Sequence, residues 1–167
     1  TGREAAKLNL HSKKVYKVIP TAIATWVITV DNELYVCGYN NFGELGIGKI
    51  SQQTDGFEKV EFNNPKEIKN ITSTSDNYTD SASIDYRTII LMNDGKLYWA
   101  GNTENVDQNF FKNTDLQNTT VLKFTEIFNG TYGKTFNNKI VYIAKFGGWA
   151  SKYLIVLDEI GTLYRID

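Results

Sequence analysis

The stretch TWVITVDNELYVCG at residues 25–38 decides the fold, because its plan returns as YRTIILMNDGKLYWAG at 86–101 and as KYLIVLDEIGTLYRID at 152–167. Each copy is an apolar run, a polar turn, then Leu-Tyr. The pairs are Leu34-Tyr35, Leu97-Tyr98 and Leu163-Tyr164, with tyrosines spaced 63 and 66 residues apart. Self-similarity at a long, fixed period is the mark of a repeat architecture. Between the apolar run and Leu stand three residues in the first copy, four in the second and five in the third, all hairpin lengths. Asp-Asn, Asp-Gly and Ile-Gly tolerate the positive φ that such turns require, so each copy reads as a β-hairpin. Val, Ile, Thr, Tyr and Trp dominate both arms, as a packed pleated surface favours.

Working outward, an extended stretch precedes each hairpin: VYKVI (15–19), EIKNI (67–71) and KIVYIAK (139–145). Every unit therefore offers at least three short strands. The expected units are 15–66, 67–138 and 139–167, after a lead-in at 1–14. Good helix formers in REAAKLNLHSKK (3–14) make that lead-in a brief helix or an irregular arm. Antiparallel units at this period predict an all-β chain of propeller-like blades. Following the first hairpin, GYNNFGELGIG (38–48) carries glycines suited to tight turns and close backbone approach and unsuited to a helix.

On these residues, ITVDNELYVCGYNNFGELGIG (28–48) resembles the repeat of the regulator-of-chromosome-condensation propellers. That repeat has an apolar strand, a D-G-x-hydrophobic-Tyr turn, a Gly, an Asn, and G-Q-L-G-x-G. The matching residues are Asp31, Leu34, Tyr35, Gly38, Asn40, Gly43, Leu45, Gly46 and Gly48, with Glu44 where Gln is usual. The second copy keeps Asp94, Gly95, Leu97, Tyr98, Trp99, Gly101 and Asn102, and the third keeps Gly161, Leu163 and Tyr164. Family repeats run to roughly fifty residues, and closed family rings have about seven blades. Fewer than three units fit here, so the resemblance implies a fragment of a propeller, or an incomplete one. The missing part would come from a longer chain, from an N-terminal segment or from other copies. The start at Thr1, without Met, reads as a processed or expression boundary. For full propellers the resemblance also implies guanine-nucleotide exchange on a small GTPase, by wedging the nucleotide site open. No residue of this chain is matched to such a wedge.

Composition narrows the functions. Among 167 residues, 18 Lys and Arg face 19 Asp and Glu, a net charge of −1. Without a basic field, phosphate-driven nucleic-acid binding and attachment to anionic lipid lose their physical basis. With 41% hydrophobic residues, ten Tyr and nine Phe, the chain can bury a core. No apolar run reaches the length of a spanning helix, about 18 residues. A single Cys and a single His can make neither an internal disulfide nor a structural zinc site.

No catalytic residue, metal or cofactor is expected. His11 lies beside Ser12 in the lead-in and reads as exposed, and Cys37, next to Gly38, reads as a buried, inert thiol. The acidic turns at Asp31 with Glu33, at Asp94, and at Asp158 with Glu159 lack the spacing of a calcium loop and read as turn chemistry. The glycine train lacks the Lys-Ser/Thr ending of a phosphate loop. Sequons at Asn70, Asn77, Asn118 and Asn129, in an Asn- and Thr-rich chain, lean towards an extracellular or cell-surface setting.

Trp26 and Trp99 sit in hairpin arms and read as core. Trp149 instead follows Gly147-Gly148, in the counterpart of the Ser-, Thr- and Asp-rich insertion at 72–85; a longer insertion at 102–138 carries Phe110-Phe111. Loops on one edge of a rigid scaffold are where binding residues concentrate. The expected partner contacts are Asp76, Asn77, Tyr78, Phe110, Phe111 and Trp149. The function this favours is a non-enzymatic protein-interaction module whose partner is a protein, other copies of itself and a chain completing the propeller included. A secreted or surface structural or adhesive subunit is the alternative.

Overall fold

The computed structural model describes residues 10–73, 87–102, 120–127, 136–146 and 153–166. These form the strands β1 (Val15–Pro20), β2 (Ala24–Thr29), β3 (Leu34–Asn40), β4 (Ser51–Gln53), β5 (Glu58–Val60), β6 (Ile68–Ser73), β7 (Arg87–Met92), β8 (Leu97–Asn102), β9 (Thr120–Ile127), β10 (Ile140–Phe146), β11 (Tyr153–Asp158) and β12 (Leu163–Ile166). The chain is all-β with antiparallel sheets. In the first, β1-β2-β3 run side by side and β3 also pairs with β4 and β5; the second is β6-β7-β8-β9, the third β10-β11-β12. Among the described residues the helical element is a single 3-10 turn, Pro65–Glu67, between the first two sheets. The described part of the lead-in is not helical: Lys13 N donates to Leu10 O at 2.8 Å, and His11 and Ser12 have φ of 48° and 61°.

The three hairpins share one turn. Thr29 N donates to Glu33 O, Met92 N to Lys96 O, and Asp158 N to Thr162 O, at 2.9, 2.9 and 3.1 Å. Each therefore closes a three-residue loop whose last residue is left-handed, namely Asn32 (φ 64°), Gly95 (φ 91°) and Gly161 (φ 90°). The sequence count of three, four and five residues is corrected by this geometry. Polarity misplaces the strand ends, since apolar Val30 lies in the first loop while polar Asp158 still belongs to its strand. Asp158 consequently stands where Thr29 and Met92 stand, not where the turn acids Asp31 and Asp94 do.

A second shared feature is a β-bulge near the start of the leading strand. The register shifts between Val15 and Lys17, between Ile68 and Asn70, and between Ile140 and Tyr142. With turn and bulge aligned, Trp26, Ile89 and Ile155 are equivalent, as are Val27, Ile90 and Val156.

Side-chain alternation then assigns the faces. One face of the first sheet, with Trp26, Ile28 and Leu34, packs on Ile71, Ile90 and Met92 of the second. The opposite face of the second sheet, with Ile89, Leu91, Leu97 and Trp99, packs on Ile143, Leu154 and Val156 of the third. The second sheet is thus covered on both sides, and all six residues of β7 are buried. Polar groups cross the joints as well. Lys17 Nζ donates to Ile68 O at 3.2 Å, and its equivalent Asn70 donates from Nδ2 to Ile143 O at 2.9 Å.

The glycine train locks the first joint. Gly48 N donates to Leu122 O at 2.8 Å and Ile47 bridges Lys123, both on β9 of the second sheet. Buried Asn40 pins the loop by accepting from Leu45 N (3.0 Å) and donating to Lys49 O (2.8 Å). At Gly46, φ is +65° and a Cβ would stand 2.5 Å from the Phe124 ring. Gly46→Ala should therefore cost about 1–3 kcal/mol in denaturant unfolding. Gly56→Ala, where a Cβ meets nothing within 4 Å, should stay within about 0.5 kcal/mol of the parent. Equal effects would show that the loop does not need this approach.

Candidate functional site

Strand register sorts the connections onto two ends. The hairpin turns share one end with the linker at 61–67 and with the strand ends that flank 128–139, since Ile127 pairs with Leu97 and Ile140 with Asp158. At the other end, Pro20 pairs with Thr25, Ser73 with Thr88, Phe146 with Tyr153, and Asn102 with Thr120. The segments 21–23, 74–86, 103–119 and 147–152 all leave from and return to this second end. The expected contact residues Asp76, Asn77, Tyr78, Phe110, Phe111 and Trp149 lie outside the described residues. What the structure positions is the strand ends that carry them.

Leu34 and Leu97 are buried, and Trp26 and Trp99 are fully buried. The three repeat tyrosines each donate a hydroxyl hydrogen bond to a carboxylate, drawn from a different place each time: Tyr35 to Glu33 (3.1 Å), Tyr98 to Glu126 (3.3 Å) and Tyr164 to Asp158 (3.1 Å). Burial, followed by the neighbouring carboxylate, raises the pKa of all three phenols.

On the turn side of the first joint lies a cavity of about 550 Å³, with Glu33, Lys59, Glu61, Phe62, Tyr98 and Phe124 in its wall. Its rings meet edge to face, with Phe62 at 5.2 Å from Tyr98 and 5.8 Å from Phe124. Its charges are matched within the chain: Lys59 contacts Glu33 and Lys123 contacts Glu61, each at 2.6 Å. Bonds from Lys59 and then Lys13 hold the Glu33 carboxyl at about 2, well below the usual range. Nothing in the repeat pattern marked Phe62 or Phe124, because the cavity exists only once two sheets meet.

The described part of the lead-in, 10–14, makes contacts that its sequence does not suggest. His11 is exposed, as expected, yet Nε2 lies 3.1 Å from Phe57 O and the ring stands 5.8 Å from Tyr35. Lys13 reaches Asp31 and Glu33 at 2.6 and 2.9 Å. Leu10 packs on Val27 and Tyr35, covering part of the first sheet's outer face. Cys37 corrects the expectation of a buried thiol: it is half-buried, because it shares that outer face with Tyr35. Among the described residues no group of three or more His, Cys, Asp or Glu side chains could hold a metal. No helix there is long and apolar enough to cross a membrane.

No family model matches the chain, and neither does any curated protein. Solved structures do match it. The chain is similar to yeast RCC1 (Prp20) bound to Kap60, with a TM-score of 0.64 and 16% identity over 90% of this chain and 31% of that one. Prp20p from Saccharomyces cerevisiae, described with its binding properties to Gsp1p and histones, matches with a TM-score of 0.60 and 17% identity over 90% and 32%. Human WBSCR16 matches with 0.62 and 16% over 96% and 34%. The fold is that of part of an RCC1-type β-propeller. The chain spans about a third of the length of these neighbours.

Within this RCC1-type frame two acidic residues have environments that their turns did not foretell. Asp158 is buried, which disfavours its charge, but donors at Thr162 N (2.7 Å), Asn138 Nδ2 (3.0 Å), Tyr164 Oη (3.1 Å) and Ile160 N (3.2 Å) outweigh that and keep its pKa low. Its carboxylate serves the hairpin. The Asn70 sequon is likewise spent, since its amide is engaged in the joint to Ile143. Asn77, Asn118 and Asn129 lie outside the described residues.

Glu44, standing where the RCC1-type motif has Gln, is buried and accepts from Phe42 N at 2.7 Å. Burial raises its pKa, and the surrounding backbone N–H groups offset this only in part. A carboxyl with a raised native pKa contributes stability that is lost as pH climbs through that value. Glu44→Gln should therefore melt higher than the parent at pH 8. Its advantage should shrink as pH falls towards the ordinary Glu value of about 4.3. A gap that is independent of pH would contradict this.

Proposed function

We propose that this chain is a non-enzymatic protein-interaction module, a propeller-type scaffold that holds a protein partner through the connections at one end of its sheets. The observation supporting this is the register: all three sheets have strand ends that flank 21–23, 74–86, 103–119 and 147–152 at the same end, while the opposite end carries the three uniform hairpin turns together with the linker 61–67 and the strand ends that flank 128–139. Variable segments on a rigid frame can change partner without disturbing the core. Prp20, whose fold this chain shares, is described with Kap60, Gsp1p and histones; partners of this chain would be of the same broad kind, folded or extended proteins.

The contacts assigned to this end are Asp76, Asn77 and Tyr78 from 74–86, Phe110 and Phe111 from 103–119, and Trp149 from 147–152. Large aromatic side chains are the usual anchors of such surfaces. The test is quantitative capture of a partner isolated with the parent chain. Trp149→Ala and deletion of 74–83 should each weaken capture by about tenfold or more at unchanged melting temperature. Unchanged capture by both variants contradicts the assignment.

A further inference from the structure

The repeat equivalence exposes two half-joints. On the outer face of the third sheet, Leu163 is 66% exposed, although its equivalents Leu34 and Leu97 are 0% and 4% exposed at the two internal joints. Ile155 and Leu157 on the same face are half-buried, where Trp26, Ile28, Ile89 and Leu91 are buried. Tyr142, 52% exposed, occupies the position from which Lys17 and Asn70 donate across their joints. The outer face of the first sheet carries the other half. Val15 and Val18 are 50% and 53% exposed, whereas their equivalents Ile68 and Ile71 are 2% and 4%, and Ile140 and Ile143 are 3% and 0%. Leu10 covers Val27 and Tyr35 on this face but leaves Val15 and Val18 open.

We propose that a second copy of this chain docks head to tail, the outer face of one molecule's third sheet, with Tyr142, Ile155, Leu157 and Leu163, seating on Val15 and Val18 of the other's first sheet. The argument for this occupant is complementarity already realised within the molecule. The chain forms this joint twice, each time placing a Leu-bearing hairpin face against a β-branched pair three residues apart; the outer faces repeat the two halves, except that exposed Arg165 stands where Val36 and Trp99 are buried. Apolar positions that are buried at every internal repeat and open at the ends are where repeat arrays continue. Because the halves differ, the contact is heterologous, and each molecule keeps one face free for another. This goes beyond partner capture at the loop end, and its test leaves those loops untouched, so the two readings fail separately.

Leu163→Glu and Val18→Glu place a charge on one half-joint each, at positions exposed enough to leave the fold intact. By sedimentation and light scattering over a concentration series, the parent should self-associate and each variant alone should associate at least about tenfold more weakly. Mixing the two variants should restore a dimer and stop there, since only one intact pair of faces remains. A parent that stays monomeric at the highest concentrations would overturn the proposal, showing that a second copy does not cover these faces. Val18→Glu associating as well as the parent would overturn it too, by showing a symmetric contact between third sheets.

Discussion

Strand β7 is buried on both faces, and the rest of the structure depends on that constraint. Ile90 and Met92 face the first sheet, Ile89 and Leu91 face the third, and Thr88 is fully buried with them. A strand covered on both sides favours a continuous apolar run rather than alternation, which is why IILM (89–92) is unbroken. Its two sets of side chains each belong to one of the two joints. The glycine train reinforces the first joint through Leu122, Lys123 and Phe124 of β9, the second sheet's edge strand.

How much of this was legible can be argued residue by residue. The hairpins were readable because turn chemistry is local: Asn32, Gly95 and Gly161 each occupy the left-handed position their residue types predict. The close approach at Gly46 was readable in kind, but its partner was not, since Phe124 is 78 positions away and reaches Gly46 only through the packing of two sheets. The shared bulge left no trace, because the bulged residues Tyr16, Lys69 and Val141 have nothing in common as side chains. Asp158 misled for a related reason. It looks like a turn acid, yet the strand extends one residue further than its polarity suggests, and four donors rather than solvent stabilise its charge.

The candidate binding surfaces divide in the same way. Strand register, a long-range property, places the strand ends that flank 74–86, 103–119 and 147–152 at one end. The uncovered faces emerge from comparing equivalent positions, since Leu163 is unremarkable in sequence and becomes informative beside buried Leu34 and Leu97. Charge contributes anchoring rather than recognition: Lys13 and Lys59 hold Glu33, and Lys123 holds Glu61, so the lysines and acids around the first joint are largely spent within the chain.

The measurement that tests this account most directly is native-state hydrogen exchange resolved by peptide. With β7 sandwiched between both neighbours, its amides should be the slowest in the chain, opening together with β2 and β11 in one cooperative step, while β1 and β12 exchange earlier. Exchange of β7 as fast as that of β12 would mean that the sheets do not pack on one another through this strand, and the account of the fold would be wrong at its centre.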